Sequence, residues 1–391
     1  MLLNQNKSRR PLVLKAASTF AVAFAFTILA LPAGGPIKSQ PANVRATEFR
    51  LAEPGYRFQF PRDLRPRNGY RTSWWYYTGH LFADDGGRFG FQFTIFKIEN
   101  APNPDGNYLT GGVFFMAHLA LTDEQNRKYY FTERLQRFFP GLAGYDAATR
   151  TVYVENNTLR IDDDARNHRI AARAEDFQLD LNLTSVIGPV VHGENGVSRK
   201  GFEARSFSHY FSIPDLSGAA TLKIGDGPAR TLRAKAWMDV EFGSNVLAKT
   251  QTGWDWLHVS LENGMRYMIF RVRDNAGEDF YSASVITPDG RIRPVAAQRI
   301  RMIPEPRRWK SAATGAQYPL HWKMIVEDTQ LTVTPWIEAQ EAHPSEPSGS
   351  RVSYWEGAVD VTATQGVDVT ATQGVGYLEL TGYLRSMGGT L

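Results

Sequence analysis

The sequence predicts an all-β protein of antiparallel sheets in two domains. Three observations support this. The apolar runs are short, aromatic or β-branched, and cut by turn residues. Side-chain character alternates with a period of two in several of them, as in Phe89-Gly90-Phe91-Gln92-Phe93-Thr94-Ile95 and Phe177-Gln178-Leu179-Asp180-Leu181-Asn182-Leu183. Beyond the first 46 residues no long stretch has helical periodicity, while 34 Gly, 21 Pro and 12% aromatic residues suit a turn-rich chain.

Taken in order, residues 1–33 carry Lys7, Arg9, Arg10 and Lys15, no acid, and the apolar run Ala16 to Leu31. This is the layout of a secretory signal peptide, and Ser8-Arg9-Arg10-Pro11-Leu12-Val13 resembles a twin-arginine signal, with the Sec route equally open. Cleavage after Ala33, Ala42 or Ala46 is expected, so residues 1–46 are read as signal peptide and linker. The mature protein is expected in the periplasm or secreted, with no stable membrane span. The leader holds four of the 44 basic residues, so the remainder balances at 40 basic against 40 acidic. No broad basic field is left to attract nucleic acid or an anionic membrane. With no cysteine, disulfides, thiolate metal sites and a lipid-modified cysteine are excluded.

A remainder of this length exceeds one core, which stops growing near ~250–300 residues, so domains are expected at 47–246 and 247–391. In the first, Trp74–Phe82, Arg88–Ile98, Val113–Leu121 and Lys128–Thr132 read as an antiparallel meander. Asp84-Asp85-Gly86-Gly87, Glu194-Asn195-Gly196 and Asp226-Gly227 supply turns. In the second, Trp254–Leu261 and Met265–Val272 flank the hairpin signal Glu262-Asn263-Gly264. Strands follow at 282–286, 298–303, 320–326, 331–334, 355–362 and 376–381, with a loop over 335–350. The octapeptide Val359–Gly366 is repeated unchanged at Val367–Gly374; an even insertion keeps strand faces in register and lengthens a hairpin.

The chemistry centres on Ala234–Gly243. As a strand it puts Trp237, Asp239 and Glu241 on one face and Met238, Val240 and Phe242 on the other. Two carboxylates beside an indole on a strand otherwise built for burial suggest proton delivery; ion pairing at a strand end is the simpler alternative. Trp74, Tyr76, Thr78 and His80 share a face opposite Trp75, Tyr77 and Leu81, and Trp254, Trp256 and His258 share another. Aromatics on both faces of a strand mean that one face lines a cavity or an interface. His80, His118, His209 and His258 lie in different strands without metal-ligand spacing, and no Gly-x-Ser-x-Gly is present, so neither a metal site nor a serine hydrolase is expected, and no cofactor. The glycine-rich, basic stretch 192–201 reads as a long connection over a cavity mouth.

Seven motifs occur in an order that resembles the carotenoid 1,2-hydratase/AttH-like family: Trp74-Trp75-Tyr76-Tyr77-Thr78-Gly79-His80-Leu81; His192-Gly193 through Ser198-Arg199-Lys200-Gly201; Ser208-His209-Tyr210; Trp237-Met238-Asp239; Gly253-Trp254-Asp255-Trp256; Tyr354-Trp355-Glu356-Gly357; and Leu378-Glu379-Leu380-Thr381-Gly382-Tyr383. The resemblance runs from about Phe60 to Tyr383. It implies two lipocalin-like antiparallel β-barrels in tandem, relatives that hydrate or cyclise isoprenoid chains, and a catalytic acid at Asp239. The chain departs from the family pattern at Leu64 and Arg67, where histidines are usual, at Ser73, where a glutamate is usual, and at Val240, where a histidine is common.

Hydrating an unactivated alkene begins with proton transfer that leaves a tertiary carbocation, which requires a protonated carboxyl and π-rich walls. Asp239, with Glu241 as the other candidate acid, meets the first requirement. Trp74, Tyr76, His80, His209, Tyr210, Trp237, Trp254 and Trp256 are the candidates for the ligand-binding walls. The expectation is an exported protein that binds a hydrophobic, isoprenoid-like small molecule and hydrates or cyclises it, as a hydro-lyase or cyclase. A non-catalytic carrier holding its ligand in a lipocalin-like cavity is one alternative. A carbohydrate-active protein is another, with Asp239 and Glu241 about 6.6 Å apart along the strand.

Overall fold

The computed structural model describes residues 48–103, 106–109, 111–245, 247–344, 352–366 and 371–389. The expected signal peptide and linker, residues 1–46, lie outside the described residues. So do 345–350 of the expected loop and 367–370 of the repeated octapeptide.

Among the described residues the regular structure is strand apart from two single-turn 3-10 helices, Arg62–Leu64 and Ala297–Arg299. The first sheet contains β1 (Thr72–Phe82), β2 (Arg88–Glu99), β3 (Val113–Asp123), β4 (Lys128–Arg137), β5 (Ala143–Asp146), β6 (Thr151–Val154), β7 (Asn157–Ile161), β8 (Asn167–Arg173), β9 (Phe177–Ser185), β10 (Val190–Val191), β11 (Ser198–Arg199), β12 (Phe207–Ile224) and β13 (Arg230–Gly243). Its order is β4-β3-β2-β1-β13-β12-β9-β8-β7-β6-β5, with β10 and β11 beside β12. The expected meander is present, and the sheet curls until β3 lies against β5 and β6, nearly closing a barrel.

The second sheet contains β14 (Gln251–Leu261), β15 (Arg266–Asp274), β16 (Phe280–Ile286), β17 (Ile292–Val295) and β18 (Ile300–Pro304). After the small pair β19 (Trp309–Lys310) and β20 (Gln317–Tyr318) come β21 (Trp322–Val326), β22 (Thr329–Pro335), β23 (Glu341–Ala342), β24 (Tyr354–Gln365) and β25 (Thr372–Leu380). Its order is β17-β16-β15-β14-β25-β24-β22-β21-β18, with β23 beside β24 and β18 returning to β16. The β14–β15 turn has Gly264 at φ 82°, a backbone that side-chain-bearing residues rarely adopt. The first copy of the octapeptide runs along β24 and the end of the second copy, Thr372–Gly374, lies in β25, where Val361 opposes Gly374.

Each barrel interior is filled rather than hollow. Trp75, Tyr77, Leu81, Phe91, Phe93, Met238, Val240 and Phe242 belong to the first core, and Leu257, Val259, Trp322, Trp355, Val359 and Leu378 to the second. Burying each such side chain contributes about 1.5–3 kcal/mol or more. The opposite faces carry Trp74, Tyr76 and Asp239 from the first sheet and Trp254, Trp256 and Glu379 from the second, and these outer faces pack together. Both sheets fall within one compact unit. The lipocalin-like cavity expected inside a barrel is therefore replaced by one between the barrels, because large aromatics occupy the interiors.

Candidate active site

β13 places the site. Strand pairing sets Tyr76 of β1 and Ser212 of β12 opposite Asp239, and Trp74 and Tyr210 opposite Glu241, so two cross-strand rows share one face. Beyond Ile213 the β12 register shifts at Pro214, which has no N–H for the ladder; β12 stays paired with β13 and takes β9 on its other edge. On the second sheet Trp256, Glu379 and Glu356 form a third row. The rows face one another: Tyr76 Oη donates to Glu356 Oε1 at 2.6 Å, its ring meets Trp256 edge-on at 5.4 Å, and Trp256 Nε1 donates to Tyr210 Oη at 3.2 Å.

Between them lies a cavity of about 630 Å³, walled by Trp74, Tyr76, Phe96, Trp254, Trp256 and Phe270 and reached by Asp239, Glu241 and Glu379. This volume is within the usual range for small-molecule sites. Asp239 is 3% exposed. Its Oδ2 accepts from Tyr210 Oη at 2.8 Å; its Oδ1 accepts from Trp237 Nε1 at 2.6 Å and from Ser212 Oγ. Burial pushes its pKa from 3.8 up to about 7, against the pull of these three donors, and the charge of Glu241 adds to the rise. Glu379, partly open to the cavity, is raised to about 7 by desolvation, eased by a hydrogen bond from Trp254 and reinforced by Asp239 and Glu241. Burial and then Glu379 hold the Glu356 carboxyl well above its usual range. With both near 7 and the charge of Asp239 acting on Glu379, these two carboxyls titrate as a coupled pair.

Of the residues singled out in the sequence, Asp239, Glu241, Trp74, Tyr76, Tyr210, Trp254 and Trp256 meet at this cavity. Glu241 is committed to Lys200, whose Nζ is 3.0 Å from Oε1 and lies over the Tyr210 and Phe270 rings. Lys200 comes from the expected connection over the cavity mouth. Asp239 and Glu241 stand side by side on one wall, whereas glycoside hydrolysis needs carboxyls on either side of the bond. Trp237 is buried behind the wall, stacked on His258 at 4.9 Å, and acts by holding Asp239.

His80 and His209 stand away from the cavity, a correction to their reading as ligand contacts. His80 continues the Trp74–Tyr76 face but is sealed beneath Trp336, with a ring nitrogen 3.0 Å from the Gly376 carbonyl, and desolvation lowers its pKa to about 4. His209 opposes Phe242, so alternation turns it to the other face from Tyr210, against Tyr56 at 4.0 Å.

The positions that depart from the family pattern also lie on that other face. Leu64 and Val240 are core residues of the first barrel, Arg67 is 3.5 Å from Asp63, and Ser73 opposes Phe242. They take no group away from the cavity wall. Sequence reading missed the roles of Glu356, Glu379 and Ser212. The first two sit in the quoted motifs Tyr354–Gly357 and Leu378–Tyr383, where an acid among buried residues was the available signal; Ser212 carried none.

The AttH-like family model matches residues 51–383. A crystal structure of an AttH protein from Nitrosomonas europaea is 31% identical, covers 86% of this chain and 100% of its own, and superposes with a TM-score of 0.74. Kievitone hydratase from Nectria haematococca is 14% identical, over 86% of this chain and 96% of its own, with a TM-score of 0.65. CghA with Sch210972 is 13% identical, over 88% and 98%, with a TM-score of 0.54. The last two share the fold. No curated protein matches the chain. From the family match across the described sheets and the likeness to the Nitrosomonas protein, this chain belongs to the AttH-like family.

Proposed function

We propose that the protein is exported, binds an apolar, alkene-bearing isoprenoid between its two barrels, and protonates it from Asp239. The observation that carries this reading is a buried carboxyl with a pKa near 7 on the wall of an aromatic cavity. Its proton is available at neutral pH and its acidity matches general-acid work. Transfer to one alkene carbon leaves a tertiary cation on the other, attracted by about 0.5–2 kcal/mol or more to each ring face that it meets. Capture by water then gives an alcohol; capture by a second alkene followed by proton loss gives a ring. Glu379 is the base placed across the cavity for either ending. The hydratase name of one structural neighbour agrees with the first ending.

A pure carrier needs the cavity but not the acid. Incubating the protein with a cell lipid extract and identifying the retained molecules by mass spectrometry tests the proposal. A retained polyene with a new hydroxyl or ring is expected. A polyene retained unchanged would leave a carrier, and retained oligosaccharide would overturn the ligand class.

A further inference from the structure

The cavity has a second polar end. Cross-strand pairing runs from Asp239 through Tyr76, Thr94 and His118 to Glu133; Gln92 and His118 line the cavity two to three strands from Asp239, and Tyr354 of the second sheet meets them there. At about 4.7–4.9 Å per strand this is about 10–15 Å.

The hydrogen bonds here form one continuous chain. The Glu133 carboxylate, an acceptor only, receives His118 Nε2–H at 2.9 Å. On the other side of the ring His118 Nδ1 is hydrogen-bonded to Tyr354 Oη at 2.7 Å. The phenolic oxygen receives Gln92 Nε2–H at 3.1 Å, and Thr94 Oγ1 receives the other amide hydrogen at 3.2 Å. With the amide nitrogen making both bonds, Gln92 Oε1 is left over. That oxygen is buried, on a residue only 3% exposed, and has no hydrogen-bond partner. A buried acceptor without a donor is costly, and nothing in an all-apolar ligand would relieve it.

We propose that Gln92 Oε1, held by Tyr354, His118 and Glu133, is a subsite for a ligand O–H. This rests on the alkene-binding reading above and sharpens it: the substrate is an isoprenoid alcohol or phenol whose hydroxyl sits about 10 Å from the double bond at Asp239, not a bare hydrocarbon.

Geranylgeraniol and its methyl ether, titrated against the full chain by tryptophan fluorescence, differ by that one donor. The wild type is expected to bind the alcohol about tenfold more tightly. Gln92→Leu should abolish the difference by losing alcohol affinity while ether affinity holds. Gln92→Met, closer in length, carries the same expectation if the leucine variant fails to fold. Equal wild-type affinity for the two, or a preference that survives substitution, overturns the subsite and leaves the cavity reading intact. Binding of neither ligand overturns both.

Discussion

Replacing Asp239 by Asn should change how stability depends on pH. The carboxyl has a pKa near 7 in the folded protein against an ordinary 3.8. Between about pH 4 and 7 the folded state therefore keeps a proton that the unfolded chain has released, and stability falls as pH rises through that window. A rise of about three pKa units at 1.36 kcal/mol each makes the penalty about 4 kcal/mol above pH 7, to order of magnitude. Asparagine has the same shape and no charge to bury, so it removes the penalty. Below pH 4 both proteins are neutral at this position, and the variant gains nothing. Relieving the charge on Asp239 also eases ionisation of Glu379, which adds to the gain at high pH. Urea midpoints at pH 5 and pH 9 read this out. The variant should unfold at modestly higher urea than the wild type at pH 5, where the gap is about 1.6 kcal/mol, and at clearly higher urea at pH 9, where it reaches about 4 kcal/mol. Parallel pH profiles would refute a buried, proton-holding Asp239.

The same Asp239→Asn change should leave ligand affinity within a few-fold while turnover falls by ~10²–10⁴, as read from kcat against Kd. Trp237→Leu removes the indole donor to Asp239 and the stack on His258; it should cost about 2–4 kcal/mol in thermal or urea unfolding and lower turnover as well. Gly79→Ala would put a Cβ 2.4 Å from the Lys235 carbonyl oxygen and 2.9 Å from Ala236 Cα, so loss of soluble folded protein is expected on expression. N-terminal sequencing of exported protein should find a start after residue 33 and no later than about residue 47; an intact Met1 would refute processing.

The strands were legible wherever one face was apolar. The alternation in Phe89–Ile95 and the split of Met238, Val240 and Phe242 from Trp237, Asp239 and Glu241 both appear as read, because period two and one-sided burial leave a direct trace in sequence. The same rule should have separated His209 from Tyr210, which are neighbours on a strand and so cannot share a face. The place of the cavity was not legible. Nothing local in Trp75 or Phe91 says that they fill a barrel while Trp74 and Trp254 line a gap between barrels, since only the packing of the two sheets decides it. Glu356 and Glu379 were hidden for a similar reason: burial between the packed sheets raises both, and for Glu379 the charges of Asp239 and Glu241 on the facing sheet add to the rise.

The most direct test follows the proton. The isoprenoid retained by the protein is incubated in D₂O with wild type and with Asp239→Asn, and product is analysed by mass spectrometry. The wild type should yield an alcohol or ring product carrying one solvent deuteron on carbon, and the variant should accumulate it ~10²–10⁴ times more slowly. Product formed by Asp239→Asn at the wild-type rate, or product without carbon-bound deuterium, would contradict proton delivery by Asp239.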